Sequence, residues 1–168
     1  MDMKDMNLMG IIGLIGAAIL VIGVFLDWGT YQNILDETVH LSGLDFYNKV
    51  DGVVDGTGYT FVPLVALICG IISLALMILP TFMNMEKYQQ INNFLGLIAL
   101  IMALVVVVCG ILFYTQTYSA TFLGVTKTWA FTDMYSVGIG FWLVLIGGII
   151  TLIGGIMPIL KNKGIIKF

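Results

Sequence analysis

Few side chains in this chain could do chemistry, and their positions limit what they could do. The two thiols, Cys69 and Cys109, both lie inside uninterrupted apolar runs, and no Cys stands in a polar segment. That leaves no disulfide framework and no Cys-x-x-Cys metal pair. Two thiols at similar depth on neighbouring helices could bind a metal or cycle between thiol and disulfide. The simpler expectation is that each is a small buried apolar side chain. His40 is the single histidine, with Ser42 and Asp45 close behind it. Catalysis there would need a nucleophile or metal partners held against the imidazole, and no nucleophile-elbow sequence surrounds Ser42. Asp36, Glu37, Asp45, Asp51 and Asp55, with His40, could offer ligands to a cation. The run Asp51-Gly-Val-Val-Asp55-Gly-Thr-Gly lacks the alternating acids and distal Glu of an EF-hand loop. Its two Asp-Gly pairs read as turns. The expectation is a protein that is not an enzyme, with no catalytic residue, no metal site and no cofactor.

The elements that carry these residues are set by hydrophobicity. Of 168 residues, 60% are hydrophobic and 10% charged, with a mean hydropathy of +1.05. Soluble domains carry about 25% charged residues, so a cytosolic enzyme or a disordered tail is excluded. The cations are seven Lys and no Arg; without an Arg-rich basic surface, nucleic acid is excluded as a partner. Four segments contain no Asp, Glu, Lys, Arg or His: Leu8–Leu26, Phe61–Pro80, Phe94–Tyr114 and Val137–Leu160. At 1.5 Å per residue they reach roughly 28 to 36 Å, against a hydrocarbon core of about 30 Å. In lipid the backbone must satisfy its own hydrogen bonds, which makes each run a helix. The first run exceeds a signal-peptide core and no small-x-small cleavage site follows it, so it reads as an uncleaved helix. Pro63 falls in a first turn, Pro80 closes the second helix, and Pro158 lies in the last turn of the fourth.

Four spans place both termini and the 81–93 connection on one side. That side holds Lys4, Lys87, Lys161, Lys163 and Lys167; the other holds Lys49 and Lys127 with seven acids. The positive-inside rule then predicts a multi-pass protein of the cell membrane with both termini cytoplasmic. Trp28, Trp129, Trp142 and every Tyr except Tyr88 fall at or beyond the outer ends of the runs. Trp28 directly follows the first run and is expected to be an interfacial anchor.

The outer segments 27–60 and 115–136 are expected to fold. In the first, Thr38-Val39-His40-Leu41 alternates and is followed by Ser42-Gly43 and Leu44-Asp45-Phe46-Tyr47. In the second, Tyr118–Phe122 and Thr126–Phe131 flank Leu123-Gly124-Val125 and read as a hairpin rich in Thr and aromatics. A lone hairpin is marginal, so strands from both segments are expected to share one small antiparallel sheet. This layout resembles the claudin-like four-helix membrane proteins: inside termini, a longer first outer segment and an extracellular sheet. Only Trp28-Gly29 echoes the claudin Trp and Gly-Leu-Trp pattern, and its outer Cys pair has no counterpart. The chain looks closer to small prokaryotic four-helix membrane proteins with a Trp after the first helix and a Ser-Gly pair soon after, here Trp28 and Ser42-Gly43. Neither resemblance implies a catalytic residue.

Glycine supplies the remaining pattern. Gly140, Gly147 and Gly154 are spaced by seven, as are Gly148 and Gly155 in the same run and Gly16 and Gly23 in the first. Such spacing keeps small residues on one helix face, where backbones can approach. That face serves either packing within the chain or an interface between subunits. The fold class expected is an all-α membrane protein, one domain over residues 1–168. Four antiparallel transmembrane helices would form its bundle, with a small extracytoplasmic β-rich cap. The function expected is that of a structural or accessory subunit, with a small oligomeric channel as the alternative. Its partners would be the lipid bilayer and another membrane protein or copies of itself. Trp129 and Phe131 on the hairpin, and Gly140, Gly147 and Gly154, are the candidate interaction residues.

Overall fold

The computed structural model describes residues 8–50, 59–82 and 89–165. The chain is mostly helical. The long helices are α1 (Leu8–Phe25), α3 (Val62–Phe82), α4 (Gln89–Tyr114) and α6 (Ile139–Asn162); α2 (Gly43–Asn48) and α5 (Phe131–Met134) are short. Three of the long helices are long and apolar enough to cross a membrane, within Tyr59–Leu79, Asn93–Tyr114 and Ile139–Met157. Helix α1 is apolar throughout and, at 18 residues, reaches roughly 27 Å.

Several helix ends differ from the sequence expectation; α6, for one, starts at Ile139 rather than Val137 and ends at Asn162 rather than Leu160. Helix α3 continues past Pro80 to Phe82, and the Thr81 hydroxyl donates to the Met77 carbonyl at 2.7 Å, occupying an acceptor of the last turn. Helix α4 starts at Gln89 rather than Phe94, because the polar stretch Gln89–Asn93 keeps helical geometry beyond the apolar run.

Helix α1 packs against α6 and α3, and α4 packs against the same two helices. The contacts run antiparallel. Gly23 lies against Gly140 and Gly16 against Gly147 and Thr151, while Gly96 meets Gly155. Toward α3, Gly10 lies against Thr81 and Gly13 against Met77. Helix α6 therefore carries two glycine rows, Gly140/Gly147 facing α1 and Gly148/Gly155 facing α4.

Among the described residues, five strands lie at the end where α1 and α4 finish. Strands β1 (Asp27–Gln32) and β2 (Thr38–Ser42) pair antiparallel, and β5 (Ser136–Val137) adds to the other edge of β1. Strands β3 (Thr117–Phe122) and β4 (Val125–Ala130) form a separate hairpin. Both outer segments thus share a sheet, as expected, but through β5. The hairpin was expected in that sheet and stands apart from it. The stretch Leu44-Asp45-Phe46-Tyr47 after Ser42-Gly43 lies in the helix α2. Its cap explains why: Asp45 N–H donates to Ser42 Oγ at 3.3 Å, and Ser42 N–H donates to Asp45 Oδ2 at 2.8 Å. This reciprocal capping box starts a helix even in a short segment.

Candidate functional site

The strand-bearing end is built around an aromatic cluster that draws on nearly every element there. Trp28 of β1, Phe46 of α2, Phe113 of α4, Phe131 of α5 and Phe141 of α6 are all fully buried or within 1% of it. The Trp28 ring meets Phe113 at 5.1 Å and Phe141 at 5.6 Å between centroids, both edge to face. Phe46 meets Phe113 at 5.4 Å and Tyr135 at 5.3 Å. Phe131 stacks on Tyr135 at 5.3 Å. Edge-to-face pairs of this kind contribute about 0.5–1.5 kcal/mol each beyond the area they bury.

Trp28 is therefore not the interfacial anchor that its place after α1 suggested. Its side chain is 0% exposed, and its indole N–H donates to the Gly23 carbonyl at 3.0 Å. That bond satisfies a carbonyl of the last turn of α1 and the only polar atom of the ring. Gly43 makes the room, since a Cβ there would stand 2.9 Å from the indole. Ser42 caps α2 and Gly43 clears the Trp, so the three residues act as one joint. Exposed aromatic residues at this end include Phe25, Tyr47, Phe61, Tyr114, Trp129 and Trp142, with the Tyr114 and Trp142 rings 6.3 Å apart.

The β3–β4 hairpin begins inside this cluster and leaves it. At its base Phe131 N–H donates to the Gln116 carbonyl at 3.1 Å, and Tyr118 is buried. Burial pushes the Tyr118 phenol well above its ordinary range, and the neighbouring Tyr135 adds to the rise. Farther out, every described β4 residue from Val125 to Trp129 is exposed. The turn is Leu123-Gly124, with φ of 51° and 80°, the two left-handed positions that suit a two-residue hairpin turn. Leu123 is 89% and Val125 65% exposed at this tip. Across the strands, Thr121 and Thr126 share a hydroxyl hydrogen bond of 2.8 Å.

A second exposed tip joins β1 to β2. Asn33 Oδ1 accepts from Leu35 N–H at 2.9 Å and from Glu37 N–H at 3.0 Å, and its Nδ2 donates to Glu37 Oε2 at 3.1 Å. Asp36 takes a left-handed conformation at φ 62°. This tied loop holds Ile34 entirely in the open and Leu35 72% exposed.

The candidate interaction residues divide. Trp129 is 37% exposed on β4. Phe131 is buried in the aromatic cluster, so it offers a partner no surface. Gly140 and Gly147 face α1 of the same chain: a Cβ on Gly147 would lie 2.5 Å from Leu20 N and 2.7 Å from Gly16 O. Of the two uses left open for these glycines, both take packing within the chain. Gly154 is also buried.

The chemically capable residues fall into separate small groups. His40 Nδ1 and Asp27 Oδ2 pair at 2.7 Å on the exposed side of the sheet. The Ser42 hydroxyl instead donates to Asp45 Oδ2 at 2.7 Å, so no Ser–His contact forms. Cys69 of α3 and Cys109 of α4 are free thiols within one apolar core. Among the described residues no three His, Cys, Asp or Glu side chains gather; Asp51 and Asp55 lie outside them. The β3–β4 turn was read from the sequence as the middle of a hairpin, whereas the β1–β2 tip escaped that reading, although Ile34-Leu35 between Asn33 and Asp36 is an apolar pair inside turn residues. Comparison with protein-family models, with curated proteins and with solved structures finds no match to this chain.

Proposed function

We propose that this chain is a structural or accessory membrane protein, without catalytic activity of its own, that acts by associating with other membrane proteins or with itself. In this reading α1, α3, α4 and α6 form an antiparallel four-helix bundle that spans the membrane four times. The strand-bearing end lies outside the cell, and both termini lie in the cytoplasm. Helix α1 is apolar along its whole length and lies against two helices that are long enough to span. The Lys excess on the side of the termini sets the orientation.

The observation that carries the function is the contrast between the helices and the strand-bearing end. No Asp, Glu, Lys, Arg or His lies in the apolar runs, whereas transport and intramembrane catalysis rely on such ionisable groups at depth. The buried Thr151 hydroxyl donates to the Gly147 carbonyl at 2.8 Å, so it offers no free donor to a passing solute. Glycine faces that could line a pore between subunits are covered by α1 and α4. The exposed, conformationally tied apolar groups sit instead on the two tips outside. The test is the mass of the tagged full chain in nanodiscs, with identification of whatever copurifies. A defined homo-oligomer or a stoichiometric complex with a second polypeptide is the expected result. A lone monomer that carries ions across liposome membranes would overturn it.

A further inference from the structure

The two exposed tips complement each other and do not meet within one copy. Ile34 is fully exposed and Leu123 nearly so, and the two hairpins belong to separate sheets. The β1–β2 tip is apolar and acidic, with Ile34 and Leu35 beside Asp36 and Glu37. The β3–β4 hairpin is apolar and basic. Val125, Lys127 and Trp129 alternate onto one face of β4, and Lys127 is the one charge between Thr117 and Ala130. Among the described residues neither the Lys127 ammonium nor the Asp36 carboxylate has a hydrogen bond or ion pair. A two-stranded ribbon exposed along β4 is marginal in water by itself, and its edges are open to another chain.

We propose that the β3–β4 hairpin of one copy docks on the β1–β2 loop of a second copy of this chain, placing Lys127 opposite Asp36 and Glu37 and covering Ile34 and Leu35 with Leu123 and Val125. The inference deepens the association reading above and rests on it. Each copy donates one hairpin and offers one loop, so the contact is head to tail. Such a contact closes into a ring or runs on as a row within the membrane plane. Opposite charges at the rim fix the register, and the apolar tips leave water together. Neither tip reorganises to bind: the loop is held by the Asn33 hydrogen bonds, and the hairpin by its full antiparallel register from Thr117↔Ala130 to Phe122↔Val125.

A charge exchange tests this arrangement. Full-length Lys127→Glu and Asp36→Lys chains are each prepared as tagged and untagged copies, and copurification is measured in nanodiscs. Both positions are exposed, and Lys49 already occupies a left-handed conformation at φ 52°, so a lysine at residue 36 keeps the loop. Each variant paired with itself sets like charges against each other and should lose about tenfold in copurified partner. The two variants mixed together should recover it, because positions 127 and 36 then carry opposite charges at every contact. Rising ionic strength should weaken the wild-type pair. Self-association that ignores both substitutions, or single losses without recovery on mixing, overturns the docking and leaves the association reading standing. A single copy bound to a different polypeptide does the same. A chain that captures neither itself nor another polypeptide overturns both.

Discussion

The α1–α6 seam and the β3–β4 hairpin are the two places where this chain departs furthest from ordinary side-chain packing, and they depart in opposite directions. In the seam, backbones touch. Gly23 lies against the Gly140 carbonyl and Gly147 against Leu20 N, with no side chain between them. In the hairpin, side chains from Val125 to Trp129 stand exposed. Lipid tails give helices no hydrophobic drive to associate, so close contact and dispersion must hold them. Water does give such a drive to exposed Leu and Val. The seam is therefore a finished contact, and the hairpin is one that still has apolar surface to bury.

The comparison breaks most sharply at Gly147. Gly147→Leu places a side chain where Leu20 N and Gly16 O stand within 2.7 Å of the first added carbon. Backbone cannot rotate aside, so α1 and α6 must separate. This variant should lose its folded state in detergent or melt far below wild type, whereas Leu145→Ala, which trims a side chain over Gly110, should cost about 2–3 kcal/mol. Equal melting temperatures for the two would remove the seam as a backbone contact.

Next in size is Trp28→Ala. It deletes a fully buried ring with two edge-to-face partners and leaves the Gly23 carbonyl without its indole donor. A loss of about 4 kcal/mol is expected, read from thermal unfolding in one detergent. An interfacial anchor would give a much smaller change.

These two residues also show what the sequence disclosed. The apolar runs predict the long helices because a charge-free stretch of that length has no alternative state. The seven-residue glycine spacing predicts a close-packed face. It does not name the neighbour, since Gly147 meeting α1 rather than another subunit depends on how the helices are arranged in space. Trp28 misled because position after a helix is local information. What buries it comes from afar: Gly43 clears its space, and Phe113 and Phe141 arrive from α4 and α6. The helix α2 was legible and overlooked, since Ser42-x-x-Asp45 is a capping-box pattern. Strand β5 spans two residues and carries no signal of its own. The hairpin was legible from its Thr and aromatic alternation and its Leu123-Gly124 turn. Its separation from the main sheet was not, because Tyr118 and Phe131 dock its base on an aromatic cluster drawn from both outer segments.

A smaller effect should appear at the base of the hairpin at high pH. Burial raises the Tyr118 phenol above its ordinary value of 10.0, so the folded state holds it neutral while the unfolded chain ionises. Its contribution is present below pH 10.0 and falls away as pH rises beyond that value. Tyr118→Phe should flatten the alkaline loss of stability without changing the melting temperature near neutrality. A wild-type and variant pair with the same alkaline profile would mean that the hairpin base is open to water.

A small change in stability is expected two residues from one of the largest. Phe131 and Trp129 are both aromatic and flank Ala130, where β4 gives way to α5. Phe131 is buried against Phe113 at 5.1 Å, and Phe131→Ala should cost about 3–5 kcal/mol. Trp129 is 37% exposed on β4, so Trp129→Ala should cost much less, about 1 kcal/mol. In the docking proposed above its effect would fall on association instead, because aromatic side chains on a docking surface carry a disproportionate share of binding energy. Copurification of tagged and untagged copies should fall for Trp129→Ala far more than its melting temperature does. The reverse result, a destabilised protein that still assembles fully, would make the hairpin a lid on the aromatic cluster and return the search for an interface to the lipid-facing sides of α3 and α4.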